Sequence, residues 1–248
     1  DAGFGHPVWL HRTSLYSVEQ ISCQFQVESA EVLQMDMKFR STGKILLELE
    51  LEQEAAMHLV MVRHGEQDYT VTEGRGFPGP ARELAPLTER GVAQAEAVVK
   101  DPRLQGCQLI VSSPYTRALQ TAAIISRRLD LPIEVAFDIH EWLVDTQYKN
   151  RDFTDTLAAI EEATRFKGVR TPDAKLNWEG YDQVARRAAS ALLPYLAYEK
   201  IIVVTHGYVM KQFYNPGRIP YCGIVEVDFD ENFTWPGYIE RGTSKEPR

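Results

Sequence analysis

Three short segments of this chain deliver an arginine or a histidine into a loop just past an apolar run. The first is Arg63–His64–Gly65, which follows the run LVMV at 59–62. A histidine there can present a ring nitrogen for attack. Gly65 lets backbone approach a ligand, and Arg63 can fork onto phosphate oxygens. Taken alone the triplet says little, because most isolated histidines at strand ends are simply hydrogen-bonded structural residues. The second segment is SSPYTR at 112–117. Its serines can cap a helix, and Arg117 then sits in the first turn. A cation there opposes the helix dipole and calls for an anion nearby. The third, Thr205–His206–Gly207, repeats the first pattern after the run IIVV at 201–204. Two such histidines and two arginines make a compact cationic pocket suited to a phosphoryl group. Of 35 aspartates and glutamates, Glu141 is the best placed acid, just beyond an apolar run at 133–137. No close pair of imidazoles and no cysteine pair has the spacing of a zinc site.

These residues need a scaffold that brings distant loops together. From His58 onward, unalternated apolar runs (59–62, 109–111, 133–137, 201–204) read as buried parallel strands, with a final strand near 223–228. Between them lie helical patterns. One starts after Thr88, with Val92, Ala95, Val98 and Val99 on one face, and another covers 115–129, with Leu119, Ala122, Ile125 and Leu129 inward. A third begins near Tyr181, using Val184, Ala188, Ala191 and Tyr195, and Pro194 should end it; a fourth covers 207–214. The fold class expected is α/β: a three-layer sandwich with a mostly parallel central sheet flanked by helices, plus an N-terminal β-rich extension. In such sheets chemistry collects beyond the carboxyl ends of the strands, which is where all three segments and Glu141 fall.

The first 56 residues read separately, as a β-rich extension or small accessory unit before a catalytic domain at 57–248. Period-two alternation within 22–29, 32–40 and 45–51 suggests strands, with STGK at 41–44 as a turn and Glu48, Glu50 and Glu52 on a wet face. The GK in that turn lacks the spacing of a nucleotide-binding loop. Strands of this kind need something to cover them, so a homodimer or a strand-mediated contact is a possible partner arrangement.

A long polar stretch, 144–178, should border the pocket and set substrate choice. It carries Lys149, Arg151, Arg165, Lys167, Arg170 and Lys175, with Tyr148, Phe153, Phe166 and Trp178 among them. Those cations suggest a substrate with further anionic character; the competing reading is a solvated cap neutralised by Asp152, Asp155, Glu161 and Glu162. His140, beside Glu141, is a weaker candidate for the pocket, since adjacent residues usually point in different directions; His6, His11 and His58 lack comparable context.

Composition bounds the rest. The chain is 44% hydrophobic and 25% charged, with a net charge of −8, which argues against nucleic acid or an anionic membrane as partner. Cys23, Cys107 and Cys222 are too scattered for a disulfide framework, and no run is long enough to cross a bilayer. A cytoplasmic protein is the expectation.

Five blocks, in order, resemble the histidine phosphatase superfamily, in its phosphoglycerate mutase-like branch. They are VMVRHGE (60–66), LTERGVAQA (87–95), VSSPYTRALQTA (111–122), NWEGYDQVARR (177–187) and VVTHGYVMK (203–211). The resemblance implies His64 as nucleophile, Glu141 as proton donor, and Arg63, Arg117 and His206 around the phosphate. It implies a phosphohistidine intermediate, with no metal and no other cofactor. Thr70 stands where many relatives have an asparagine near the phosphate, and Glu179 belongs to a motif bordering the site; both are candidate substrate-binding residues. The tryptophan and aspartate common before "LT" in mutases are absent from GRGFPGPARELAPLT (74–88), which favours a phosphatase acting on a small phosphorylated metabolite. A phosphoglycerate-type mutase and an inactive phosphate-binding scaffold are the alternatives, and a phosphoprotein substrate is a further one.

Overall fold

The computed structural model describes strands 20–26, 32–39 and 45–48, and residues 56–238 apart from 74, 76–78 and 150–152. The chain divides into two units, Asp1–Ala55 and Ala56–Arg248. In the first, β1 (Gln20–Gln26), β2 (Val32–Phe39) and β3 (Ile45–Glu48) form an antiparallel sheet in that order. Its register sets Ile21, Cys23 and Phe25 opposite Met37, Met35 and Leu33, and Leu47 opposite Met37. The STGK turn and residues 49–55 lie outside the described residues.

The second unit carries a five-stranded sheet in the order β6-β5-β7-β4-β8. Strands β4 (Met57–Arg63), β5 (Ile110–Ser112), β6 (Ile133–Val135) and β7 (Lys200–Thr205) run parallel, while β8 (Ile224–Phe229) lies antiparallel along β4. Alternation within β4 explains the layering. Leu59 and Met61 join a core with Val184, Ala188 and Leu192, whereas Val60 and Val62 join another with Ala118, Ala122 and Ile125. Both faces are therefore covered by helices, which is why the strands read as continuous apolar runs. One face holds α3 (Thr116–Leu129); the other holds α5 (Tyr181–Leu192) and α6 (Gly207–Phe213). A short α1 (Thr70–Glu73) and α2 (Glu89–Val98) complete the first half, with α4 (Phe153–Arg165) between β6 and α5. Thr88 caps α2, its hydroxyl accepting from Gly91 N–H at 2.9 Å, and α5 gives way at Pro194 to a single 3-10 turn, Leu193–Tyr195.

One expectation is corrected. Val92 does not join the buried face of α2; it is 42% exposed, and Gly91 and Ala95 are the buried residues. The reason is a close approach of main chains: a Cβ on Gly65 would stand 2.5 Å from the Gly91 carbonyl oxygen, and one on Gly91 would collide with the Glu66 carbonyl. With α2 seated on its glycine, Val92, one position on, turns outward. The polar stretch 144–178 contains the thirteen-residue α4.

Candidate active site

β4 and β7 are parallel neighbours in register, with Arg63 opposite Thr205. The next residue of each strand is a histidine, so the sheet itself sets the His64 and His206 rings 5.0 Å apart. β5 ends on the other side of β7, where the Ser113 N–H donates to Val204. Ser113 then meets His206, Oγ to Nε2 at 2.7 Å. Past Ser113 the chain enters α3, whose first turn carries Arg117 inward to 2% exposure.

Arg117 orders the site. Its Nε lies 3.2 Å from His64 Nε2, its second terminal nitrogen 3.2 Å from His206 Nδ1, and its first 2.5 Å from a Glu83 carboxylate oxygen. Guanidinium only donates, so both ring nitrogens facing it must be lone pairs. His64 therefore carries its proton on Nδ1, donated to the Gly65 carbonyl at 2.7 Å, and His206 carries its own on Nε2, donated to Ser113. Both rings are neutral. Burial and then the Arg117 charge hold each well below the ordinary imidazole range.

Arg63 completes the cationic wall. It donates to the Ile219 carbonyl at 2.6 Å and packs over the Tyr221 ring. Its Nε is buried and has no acceptor among the described residues, as a donor awaiting an anion would be. Across from it Glu141 leaves a 3-10 turn, Phe137–Ile139. One carboxylate oxygen accepts from the Trp142 and Tyr208 N–H groups at 2.9 and 3.3 Å. Burial raises the Glu141 pKa despite that Trp142 bond and the Arg117 and Arg63 charges. Arg63, His64, Glu83, Arg117 and Glu141 share one cavity of about 170 Å³. His206 is fully buried and does not itself line it.

The remaining candidates sit elsewhere. Thr70 is exposed at the start of α1, its hydroxyl donating to Asp68, and it does not line the cavity. Glu179 is buried and pairs with Arg187 through both oxygens, at 2.6 and 2.9 Å. Arg187 also donates to the Asp138, His140 and Glu141 carbonyls. Glu179 thus acts on the loop carrying Glu141, at one remove from any ligand. His140 is buried and stacks with Tyr115, outside the cavity lining. Glu83 escaped the sequence reading; the one available signal was a carboxylate in a Pro/Gly-rich loop between two motifs.

Among the described residues, the cations of 144–178 do not furnish the pocket. Lys149, Arg165, Lys167, Arg170 and Lys175 are absent from its lining, and Arg151 lies outside the described residues. Arg165 and Arg170 are engaged locally, by Glu162 and by Leu176 and Asn177. Trp178 and Phe166 belong to the core, whereas Tyr148 and Phe153 do line the cavity.

The chain is similar to several known proteins. Over 159 residues the chain is 30% identical to a protein named probable phosphoglycerate mutase GpmB of Proteus mirabilis (strain HI4320), covering 62% of this chain and 71% of that one. It is 31% identical over 163 residues to the protein of the same name from Yersinia pestis (strain Pestoides F), with the same coverage. Among solved structures, Bacillus stearothermophilus YhfR superposes with a TM-score of 0.56 at 22% identity, covering 75% of this chain and 96% of that one. A putative alpha-ribazole-5'-P phosphatase from Escherichia coli gives 0.52 at 23% identity, covering 75% and 97%. At these identities the structures share the fold. With the profile of branch 1 matching residues 59–216, the chain belongs to the histidine phosphatase superfamily.

Proposed function

We propose that this protein hydrolyses phosphomonoesters of small metabolites through a phosphohistidine on His64. The observation that carries the reading is the unprotonated Nε2 of a neutral, buried His64, aimed at Arg117 inside a cavity that also holds Glu141. A phosphoryl group entering there takes up the free Nε of Arg63 and draws the Arg117 donors away from the two rings. His64 Nε2 then attacks phosphorus in line, forming the N–P bond as the ester P–O bond breaks. Glu141, kept protonated by burial, gives its proton to the departing alkoxide. The resulting carboxylate takes a proton from water as that water attacks the phosphohistidine. Inorganic phosphate leaves and His64 is restored. Arg63 and Arg117 spread the charge of the equatorial oxygens, and His206, outside the lining, contacts Arg117 through Nδ1.

The names of the two relatives favour a second reading, phosphoryl transfer between positions of a phosphoglycerate. Release of inorganic phosphate from a panel of phosphomonoesters in excess EDTA, for the intact protein and His64→Ala, separates them. Turnover abolished by the substitution supports hydrolysis. Isomerisation of a phosphoglycerate with little free phosphate supports transfer, and neither activity defeats both readings.

A further inference from the structure

The cavity beyond the phosphate site is aromatic, and its described cations are already committed. Phe153, Thr156 and Ile160 line it from α4, and their i, i+3, i+7 spacing places them along one helical face. Tyr148 lines the same cavity. Both rings are largely open to solvent, Phe153 at 58% and Tyr148 at 51%, although large apolar groups gathered at one spot on a surface usually mark a contact site. Tyr148 is held there at a backbone cost, with φ at +56°. The Asp145 carboxylate sustains that conformation by accepting from the Gln147 and Lys149 N–H groups at 2.9 and 2.6 Å.

Charge points the same way. The described lining has three arginines, Arg63, Arg82 and Arg117, against the carboxylates of Glu83 and Asp145, Glu141 keeping its proton in the proposed mechanism. Arg63 and Arg117 belong to the phosphate. Arg82 is paired with Glu73 at 2.9 Å and lies over the Tyr69 ring. Its buried Nε has no acceptor among the described residues, and an uncharged oxygen satisfies it. A carboxylate or second phosphate on the leaving group would add to the charge of the first and meet Glu83 and Asp145.

We infer that the group departing with the ester oxygen is an uncharged alcohol bearing an aromatic or similarly flat apolar face, packed between Tyr148, Phe153 and Ile160. This deepens the phosphatase reading and rests on it. A cavity of about 170 Å³ that also takes the phosphate, below the ~300–1,000 Å³ of sites for drug-sized ligands, suits a leaving group of a single ring.

The test compares 2-phenylethyl phosphate, glycerol 3-phosphate and 3-phosphoglycerate, all of which release alkyl alcohols. The expected kcat/KM favours the phenylethyl ester by about tenfold or more, as burial of one ring face warrants, and Phe153→Ala narrows that ratio. Calorimetric binding of 3-phenylpropylphosphonate against 2-carboxyethylphosphonate asks the same question without turnover. Tighter binding of the phenyl compound with no hydrolysis of any ester would sink the hydrolase reading, and the leaving-group assignment with it, and leave only an apolar subsite beside the phosphate. Hydrolysis that favours 3-phosphoglycerate, or equal or reversed phosphonate affinities, would overturn the assignment and leave the hydrolase reading standing.

Discussion

Arg187 on α5 closes a bidentate pair with Glu179, at 2.6 and 2.9 Å, and the same guanidinium holds the carbonyls of the loop that ends in Glu141. Neither residue lines the cavity, so in the proposed mechanism the pair serves by placing the acid. Arg187→Ala should lower kcat by about 10²-fold through misplacement of Glu141, with a smaller change in KM. Because it leaves Glu179 buried without its partner, it should also cost about 3–5 kcal/mol of stability. Arg187→Met combined with Glu179→Leu should recover much of the stability and none of the rate. Thermal melts read beside kcat distinguish the two effects.

The pH profile follows from two shifts of opposite consequence. His64 is lowered from 6.5, so it stays neutral and nucleophilic well into the acid range. Glu141 is raised from 4.5, so its proton is present below that raised value and lost above it. The profile of kcat/KM should be a bell whose acid limb belongs to His64 and whose alkaline limb belongs to Glu141. Glu141→Gln should remove the alkaline limb and slow alkyl phosphates by about 10²–10⁴-fold. The loss should shrink for 4-nitrophenyl phosphate, whose leaving group needs little protonation. A full alkaline limb surviving in Glu141→Gln would assign it to another group.

Glu83 occupies a donor of Arg117 that a phosphoryl oxygen would otherwise take. Removing that internal competitor should tighten binding of small oxyanions. Glu83→Gln is expected to lower the inhibition constant of inorganic phosphate by several-fold at constant pH. An unchanged constant would mean that Glu83 and phosphate do not share the guanidinium.

Arg117→Lys tests the tautomer argument. A lysine keeps one charge but lacks the rigid fork that reaches His64 and His206 together. We expect a loss on the order of 10³-fold in kcat/KM, together with a change in the imidazole nitrogen shifts of both histidines in NMR spectra. An imidazole spectrum identical to the wild type would show that Arg117 does not set the tautomers.

Much of this site was readable because the parallel sheet converts sequence order into position. Arg63–His64 and Thr205–His206 each follow an unbroken apolar run, and neighbouring parallel strands carry such endings to the same edge. Arg117 was legible as a cation at the wrong end of a helix. The misses have equally local causes. The inner face of α4 is built from Ala159, Ala163 and a buried Glu162 whose carboxylate accepts from the Lys175 and Leu176 N–H groups and the Trp178 indole. Small and charged residues conceal an apolar stripe, although Phe153, Leu157 and Ile160 kept helical spacing. The basic residues of 144–178 suggested anion recognition because composition cannot tell which way a side chain faces. Glu83 and Arg187 act through contacts 34 and 46 to 49 residues away, beyond what local pattern records.

Gly65 and Gly91 carry an implication for how this loop and helix can vary. Each excludes a side chain because of main-chain carbonyls on the opposing segment, and no replacement of a neighbouring side chain can shrink a carbonyl. Gly91→Ala should therefore displace the start of α2 from the His64 loop and depress activity along with stability, and screens for compensating mutations elsewhere in the protein should return only revertants at the glycine itself.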